Sequence, residues 1–245
     1  MTELRYAGLT DRGRVRTRNE DRWAADPELG LFVVSDGMGG APAGALASEI
    51  VVTALPALVA QHFGPETDLS TPAAGQPLRS ALAELSAQLR DSTAGRPRLV
   101  GMGATVAVAL VSGANVLIAH IGDSRAYLWR ERHLRMLTRD HSLAQALLDA
   151  GEITAAEAAA HPERGRLTRH IGMEADARAD VRRVTPRPAD RLLLCSDGLT
   201  GMIDDDGLSA ILDEHAEPED ACRALVEAAN EAGGMDNITA LVIAF

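Results

Sequence analysis

The chain has 245 residues, of which 46% are hydrophobic and 24% charged, so it can bury a sizeable core and a disordered class is excluded. Its net charge of −11 sets the surface as a whole against nucleic acid and anionic lipid. All 24 basic residues are arginine, which excludes chemistries that need a lysine, from the P-loop to a Schiff base.

The first 14 residues contain no apolar run, so no secretory leader is expected. Residues 13–21 are crowded with charge just ahead of the first apolar strand, residues 29–34 (LGLFVV). A helical pattern follows over residues 42–63. Glu49 and Pro56 interrupt it too much for a bilayer span, and Pro56 is expected to kink or end it. Residues 64–77 read as loop by composition and residues 78–91 as helix. Strands over 104–111 and 116–121 are joined through Ser112-Gly113-Ala114-Asn115, a hairpin signal. The alternating pieces 125–130 and 134–137 predict a second hairpin with its tip at Glu131 and Arg132. Helical patterns over 143–150 and 155–161 come next, then a strand at 192–195 (LLLC), helices over 207–215 and 219–232, and a closing strand at 238–245 (ITALVIAF). Hairpin strands that do not alternate strictly with helices predict a sheet-rich α+β domain rather than a doubly wound one. Two cysteines, Cys195 and Cys222, make no disulfide framework, and a reducing cytoplasm is the expected compartment.

The carboxylates fall in a pattern. Strands 29–34 and 192–195 run into the same tripeptide, as Ser35-Asp36-Gly37 and Ser196-Asp197-Gly198. Strand 116–121 runs into Gly122-Asp123-Ser124-Arg125, and Gly233-Gly234-Met235-Asp236-Asn237 precedes the last strand. Each aspartate is predicted where a buried strand meets a turn, with glycine beside it allowing close approach. One Asp-Gly is ordinarily only a turn. Four so placed predict carboxylates converging at one end of the sheet, where they could not all stay ionised without a cation. All-oxygen ligation suits Mg²⁺ or Mn²⁺ rather than zinc. The charge run ahead of the first strand supplies a guanidinium able to grip a phosphate bidentately. Arg16 is the choice, although spacing does not separate it from Arg14 or Arg18.

Other features read as structural. Pro42 breaks any dinucleotide-binding extension of Gly37-x-Gly39, and Asp204-Asp205-Asp206-Gly207 suits a helix N-terminus better than a calcium loop. His120 is expected to be a core histidine, and Cys195 a buried strand residue rather than a redox switch. His141, His161 and His170 are expected mainly at the surface, with substrate handling as the alternative.

Six ordered motifs together resemble the metal-dependent (PPM, or 2C-type) serine/threonine protein phosphatases, in particular the compact bacterial ones. They are Thr10-Asp11-x-Gly13-x-x-Arg16-x-x-Asn19-Glu20-Asp21, Asp36-Gly37-Met38-Gly39-Gly40, Gly101-Met102-Gly103-Ala104-Thr105, Gly122-Asp123-Ser124-Arg125, Ser196-Asp197-Gly198 and Asp236-Asn237. The resemblance implies one catalytic domain over residues 1–245, built as a four-layer αββα sandwich of two antiparallel sheets flanked by helices, with a mobile flap at about residues 140–172. It implies two Mn²⁺ or Mg²⁺ ions bridged by Asp36, with the Gly37 carbonyl, Asp197 and Asp236 completing the protein ligands. Glu20 and Asp21 would hold metal-associated waters, Asp123 a third, weaker ion, and Arg16 the substrate phosphate. The catalytic set is then Arg16, Asp36, Asp197 and Asp236, acting through a hydroxide that attacks phosphorus in line. Phosphorylated proteins and a cognate Ser/Thr kinase are the implied partners, with no nucleic acid, no membrane insertion and a monomeric state. A catalytically inactive phosphoprotein-binding regulator of the same fold is the alternative. Met38 stands where some members carry a proton-donating histidine, and Ala104 where threonine is frequent.

Overall fold

The computed structural model describes residues 4–39, 43–64, 67–173 and 177–245. The architecture is the expected four-layer α+β sandwich. One sheet has the order β1 (Arg5–Asp11), β11 (Ile238–Ala244), β10 (Arg191–Cys195), β7 (Arg125–Arg130), β8 (His133–Met136). The other runs β2 (Asp21–Asp26), β3 (Leu31–Met38), β5 (Val106–Ser112), β6 (Asn115–Ile121), β9 (Asp180–Val184), with β4 (Gly103–Ala104) pairing the end of β3. Every named pairing is antiparallel.

The central strands are apolar at consecutive positions because both faces of each sheet are covered. On β3, Phe32 and Val34 enter the layer between the sheets, with Ile118, Leu128, Leu192, Leu194, Leu241 and Ile243. Leu31 and Val33 point the other way, onto the helices α1 (Ala43–His62) and α2 (Gly75–Thr93). The first sheet sends Leu193, Cys195, Ala240 and Val242 outward against α6 (Asp205–Glu214) and α7 (Pro218–Glu231). This strict alternation of two buried faces is the period-2 geometry of a strand. Cys195 and Cys222 are both free and buried.

Several expectations need correction. The helix α1 does not end at Pro56 but runs to His62; Pro42 lies outside the described residues. By length and composition α1 could cross a bilayer, yet half of its apolar window is buried against the protein. The loop expected over 64–77 contains a 3₁₀ turn, Pro72–Ala74, and the first residues of α2; residues 65–66 lie outside the described ones. The strand expected over 104–111 is interrupted at Thr105. Sequence patterning missed β1, β2 and β9, all of them edge strands. It also missed the single helical turn α5 (Asp197–Thr200). The hairpin tip stands where expected, with Glu131 and Arg132 both at positive φ (51° and 64°) between β7 and β8, the conformation of a two-residue primed turn.

Between β8 and β9 the chain leaves the sandwich and returns. This excursion carries α3 (Leu143–Asp149) and α4 (Ala155–Ala159), capped by the Ser142 and Thr154 side chains. Its base is a short ladder: Ser142 bridges Leu167, Leu143 N–H donates to the Arg166 carbonyl at 2.9 Å, and Thr168 N–H donates to the His141 carbonyl at 2.8 Å. Arg125 grips Asp140 at the entry with two nitrogens, at 2.9 and 2.7 Å.

Candidate metal centre

The two Ser-Asp-Gly tripeptides adopt different local structures. Ser35-Asp36-Gly37 does not lie in a turn; it continues β3, where Asp36 is the cross-strand partner of Asp21 and Gly37 pairs Ala104. Ser196-Asp197-Gly198 opens α5, with Ser196 as N-cap and Asp197 as its first residue. The difference lies in what surrounds each tripeptide. Thr105 breaks its own strand, donating its N–H to the Asp36 carbonyl at 2.8 Å and accepting the Asp36 N–H on its hydroxyl at 3.0 Å. The Asp36 backbone is thus clamped on both sides in extended form.

A cavity of about 440 Å³ opens at this end of the sandwich, and Arg16, Glu20, Asp36, Gly37, Asp123, Asp197 and Asp236 all line it, with Met38 on its wall. Asp21 lies behind that surface, fully buried. One of its carboxylate oxygens accepts hydrogen bonds from the Ser196 and Thr239 hydroxyls, both at 2.7 Å, which ties the two sheets together below the cavity. Gly40, the last glycine of its motif, lies outside the described residues.

The electrostatics are severe. Burial first, then the charges of Asp21, Asp197, Asp123 and Asp236, hold the Asp36 carboxyl well above the usual carboxylate range. Burial, with Asp197 and Asp236 adding, pushes Asp21 up to about 7 against the lowering effect of its two hydroxyl partners. Burial and then Asp197 raise Asp123, and burial and then Asp236 raise Asp197. Asp197 is among the charges that raise Asp36, so the two carboxylates crowd each other, a repulsion that a bound cation would relieve. Arg16 donates from Nη2 to Asp236 at 2.6 Å, and this bond raises its pKa further. The guanidinium is half exposed on the cavity rim, so a ligand can reach it.

Unsatisfied oxygens show that the donor set suits a hard cation. Glu20 Oε1, Asp21 Oδ1 and Asp197 Oδ1 are buried without a hydrogen-bond partner. Buried acceptors normally have one, and an orphaned carboxylate oxygen is costly. A Cβ placed on Gly44 would stand 2.6 Å from the Gly37 carbonyl oxygen and 2.7 Å from Glu20 Oε2. Glycine there lets two oxygens crowd the start of α1. An all-oxygen set of carboxylates and one carbonyl fits Mg²⁺ or Mn²⁺.

The sequence reading gave no role to Asn237, Thr105, Ser196 or Thr239, which build this geometry. Asn237 accepts the Glu20 N–H at 2.8 Å and donates to the carbonyls of Arg12 and Arg18 at 2.9 and 2.8 Å, stapling the arginine-rich segment to the site. Their positions within or beside the motifs were the available signal.

A second group, His120, His141 and Asp180, offers ligand atoms within 4.8 Å of one another, but its protons stand in the way. His141 Nδ1 accepts the Gly122 N–H at 3.1 Å, so in the neutral ring Nε2 carries the proton and points it at Asp180, 3.3 Å away. His120 Nε2 donates to the Arg139 carbonyl at 2.7 Å. Burial lowers the pKa of both rings, His141 to about 4, so both are neutral near pH 7. His120 is the expected core histidine, whereas His141 is buried rather than at the surface.

The family model for protein phosphatase 2C matches residues 11–231. A serine/threonine phosphatase from Listeria welshimeri is 37% identical over 238 residues, covering 96% of this chain and 93% of the relative. The serine/threonine protein phosphatase PstP of Mycobacterium tuberculosis is 39% identical over 240 residues, which is 98% of this chain and 44% of that longer protein. A crystal structure of the PstP catalytic domain in complex with two manganese ions superposes with a TM-score of 0.81 at 35% identity, covering 98% of this chain and 97% of the other.

Proposed function

The chain belongs to the protein phosphatase 2C family and is a serine/threonine phosphatase, and from that premise we propose that its aspartate cavity hydrolyses phosphoserine and phosphothreonine in proteins with the help of Mn²⁺ or Mg²⁺. Asp36, the Gly37 carbonyl, Asp197 and Asp236 would hold two ions, Asp123 a third, and Glu20 and Asp21 the waters around them. The observation that carries this reading is the set of three orphaned buried carboxylate oxygens, on Glu20, Asp21 and Asp197, at the cavity that Asp36 and Asp236 line. Divalent cations bound there supply a water of lowered pKa and positive charge for the phosphoryl oxygens.

The chain's own groups do the rest. Arg16, half exposed on the rim, would present its guanidinium to the phosphate. Asp21, held by Ser196 and Thr239 behind the cavity, keeps its other oxygen free of any hydrogen bond. Met38 has no proton to give, so the leaving hydroxyl must take its proton from elsewhere. A single catalytic domain with the 140–172 excursion as a flap beside the site completes the reading. We also propose phosphorylated proteins as substrates, an opposing Ser/Thr kinase, a monomeric state and the cytoplasm; the two free, buried cysteines support that compartment.

Purified protein with millimolar Mn²⁺ is expected to hydrolyse p-nitrophenyl phosphate and a phosphothreonine peptide, and to stop on addition of EDTA. Absence of hydrolysis of both substrates would defeat the enzyme reading. Intact Mn²⁺ binding without turnover would favour a phosphoprotein-binding regulator instead.

A further inference from the structure

We infer that His141 is a positioning residue: its unprotonated Nδ1 and its main-chain N–H clamp Gly122 from both sides, and so fix the turn that carries Asp123 into the cavity. The inference rests on the reading of that cavity as a cation site. Gly122 lies at φ +105°, and a Cβ there would meet Thr105 Cγ2 at 2.6 Å, so the turn is tight. Its N–H is donated to His141 Nδ1 at 3.1 Å and its carbonyl accepts the His141 N–H at 2.9 Å. That carbonyl belongs to the peptide plane that continues into Asp123, so holding it sets the direction in which the Asp123 chain leaves. On the far side, Ser124 is tied to Thr105 by a 2.6 Å hydroxyl contact, and Thr105 holds Asp36. Asp123 is thus gripped before and after by groups that also hold other parts of the site.

The imidazole is itself oriented. It stacks on His120 with centroids 4.5 Å apart and planes at 21°, and Nε2–H points to Asp180. Asp180 in turn accepts from Arg169 at 3.1 Å, near the end of the 140–172 excursion, while the His141 carbonyl accepts from Thr168 at 2.8 Å. One residue therefore joins both ends of the excursion to the Asp123 turn. The acceptor at Nδ1 is the essential feature, because loss of the imidazole leaves the buried Gly122 N–H without its acceptor.

The test compares His141→Asn with His141→Gln. The asparagine Oδ1 takes the place of Nδ1 and restores the Gly122 bond, while glutamine carries its polar group out to the Nε2 position and does not. Mn²⁺ binding is titrated by calorimetry on EDTA-treated protein, alongside thermal melting and the Mn²⁺ dependence of p-nitrophenyl phosphate turnover. The Asn variant is expected to match wild type in its weakest Mn²⁺ site within about twofold. The Gln variant should lose about 10–100-fold there, the loss usual for a group that orients a ligand, and should reproduce the binding curve of Asp123→Asn. Equal binding by the Asn and Gln variants overturns the inference while leaving the cation site intact, and so does a folded Asn variant that loses the weak site. If the Gln variant does not fold, the Asn variant decides alone. Wild-type protein that binds no Mn²⁺ overturns the cation reading and the inference with it.

Discussion

At Asp21, two hydroxyls hold one carboxylate oxygen and nothing holds the other. The group is neutral more readily than in the unfolded chain, with its pKa pushed up to about 7. The sign of the consequence follows by linkage. Between the unfolded carboxylate pKa near 4 and about 7 the folded protein binds more protons than the unfolded one, so metal-free stability falls as pH rises through that window. Asp36, Asp123 and Asp197 are displaced in the same direction. EDTA-treated protein should therefore melt higher at pH 5.5 than at pH 7.5, and Asp21→Asn should narrow the gap, by roughly 2–4 °C for each kcal/mol relieved. A metal-free melting temperature that rises over this range would contradict the assignment. Gly44 acts at the same scale by its missing side chain. A methyl group there would push into the Gly37 carbonyl and the Glu20 carboxylate. Gly44→Ala should weaken Mn²⁺ binding by about 10–100-fold, read by calorimetry; unchanged affinity would remove those oxygens from the account.

Elements decide what residues alone leave open. The two Ser-Asp-Gly tripeptides are identical, yet one extends β3 and the other opens α5, because Thr105 clamps only the first. This is why the sequence identified both aspartates but misread the turn at Asp36. The edge strands were hidden for a related reason. β1 and β9 carry Arg5, Thr10 and Asp11, and Arg182 and Arg183, respectively. Polar residues suit a half-exposed edge and blur the apolar alternation by which strands are recognised. Asn237 joins elements distant in sequence, since its side chain staples residues 12–20 to the loop before β11. Asn237→Ala should cost about 1–3 kcal/mol and speed hydrogen exchange at the Glu20 amide; unchanged exchange would refute the staple. Away from the site, Arg191 is buried, stacks 3.9 Å from the centre of Trp129 and donates to the carbonyls of Leu212 and His215 at the end of α6. Arg191→Met is expected to lower stability by about 2–3 kcal/mol in urea unfolding while leaving the KM for phosphopeptide unchanged. A variant as stable as wild type would show that this cap is not needed.

In the whole molecule, two sheets stacked face to face bring residues from opposite ends of the chain to one cavity. Asp36 belongs to one sheet, Asp197 and Asp236 adjoin the other, and Asp21 fastens the two through Ser196 and Thr239. The central strands were legible because they are apolar on both faces, and the aspartates because they stand beside those strands. Their convergence depends on strand order, which periodicity does not encode, and the supporting hydroxyls and amide gave no signal apart from their place in the motifs. The most direct test is an anomalous difference map at the manganese edge from crystals of this protein soaked in Mn²⁺. Two peaks flanking the Asp36 carboxylate, within reach of Asp197 and Asp236, are the predicted result. Peaks only elsewhere, for instance between His120, His141 and Asp180, or none at all, would contradict it.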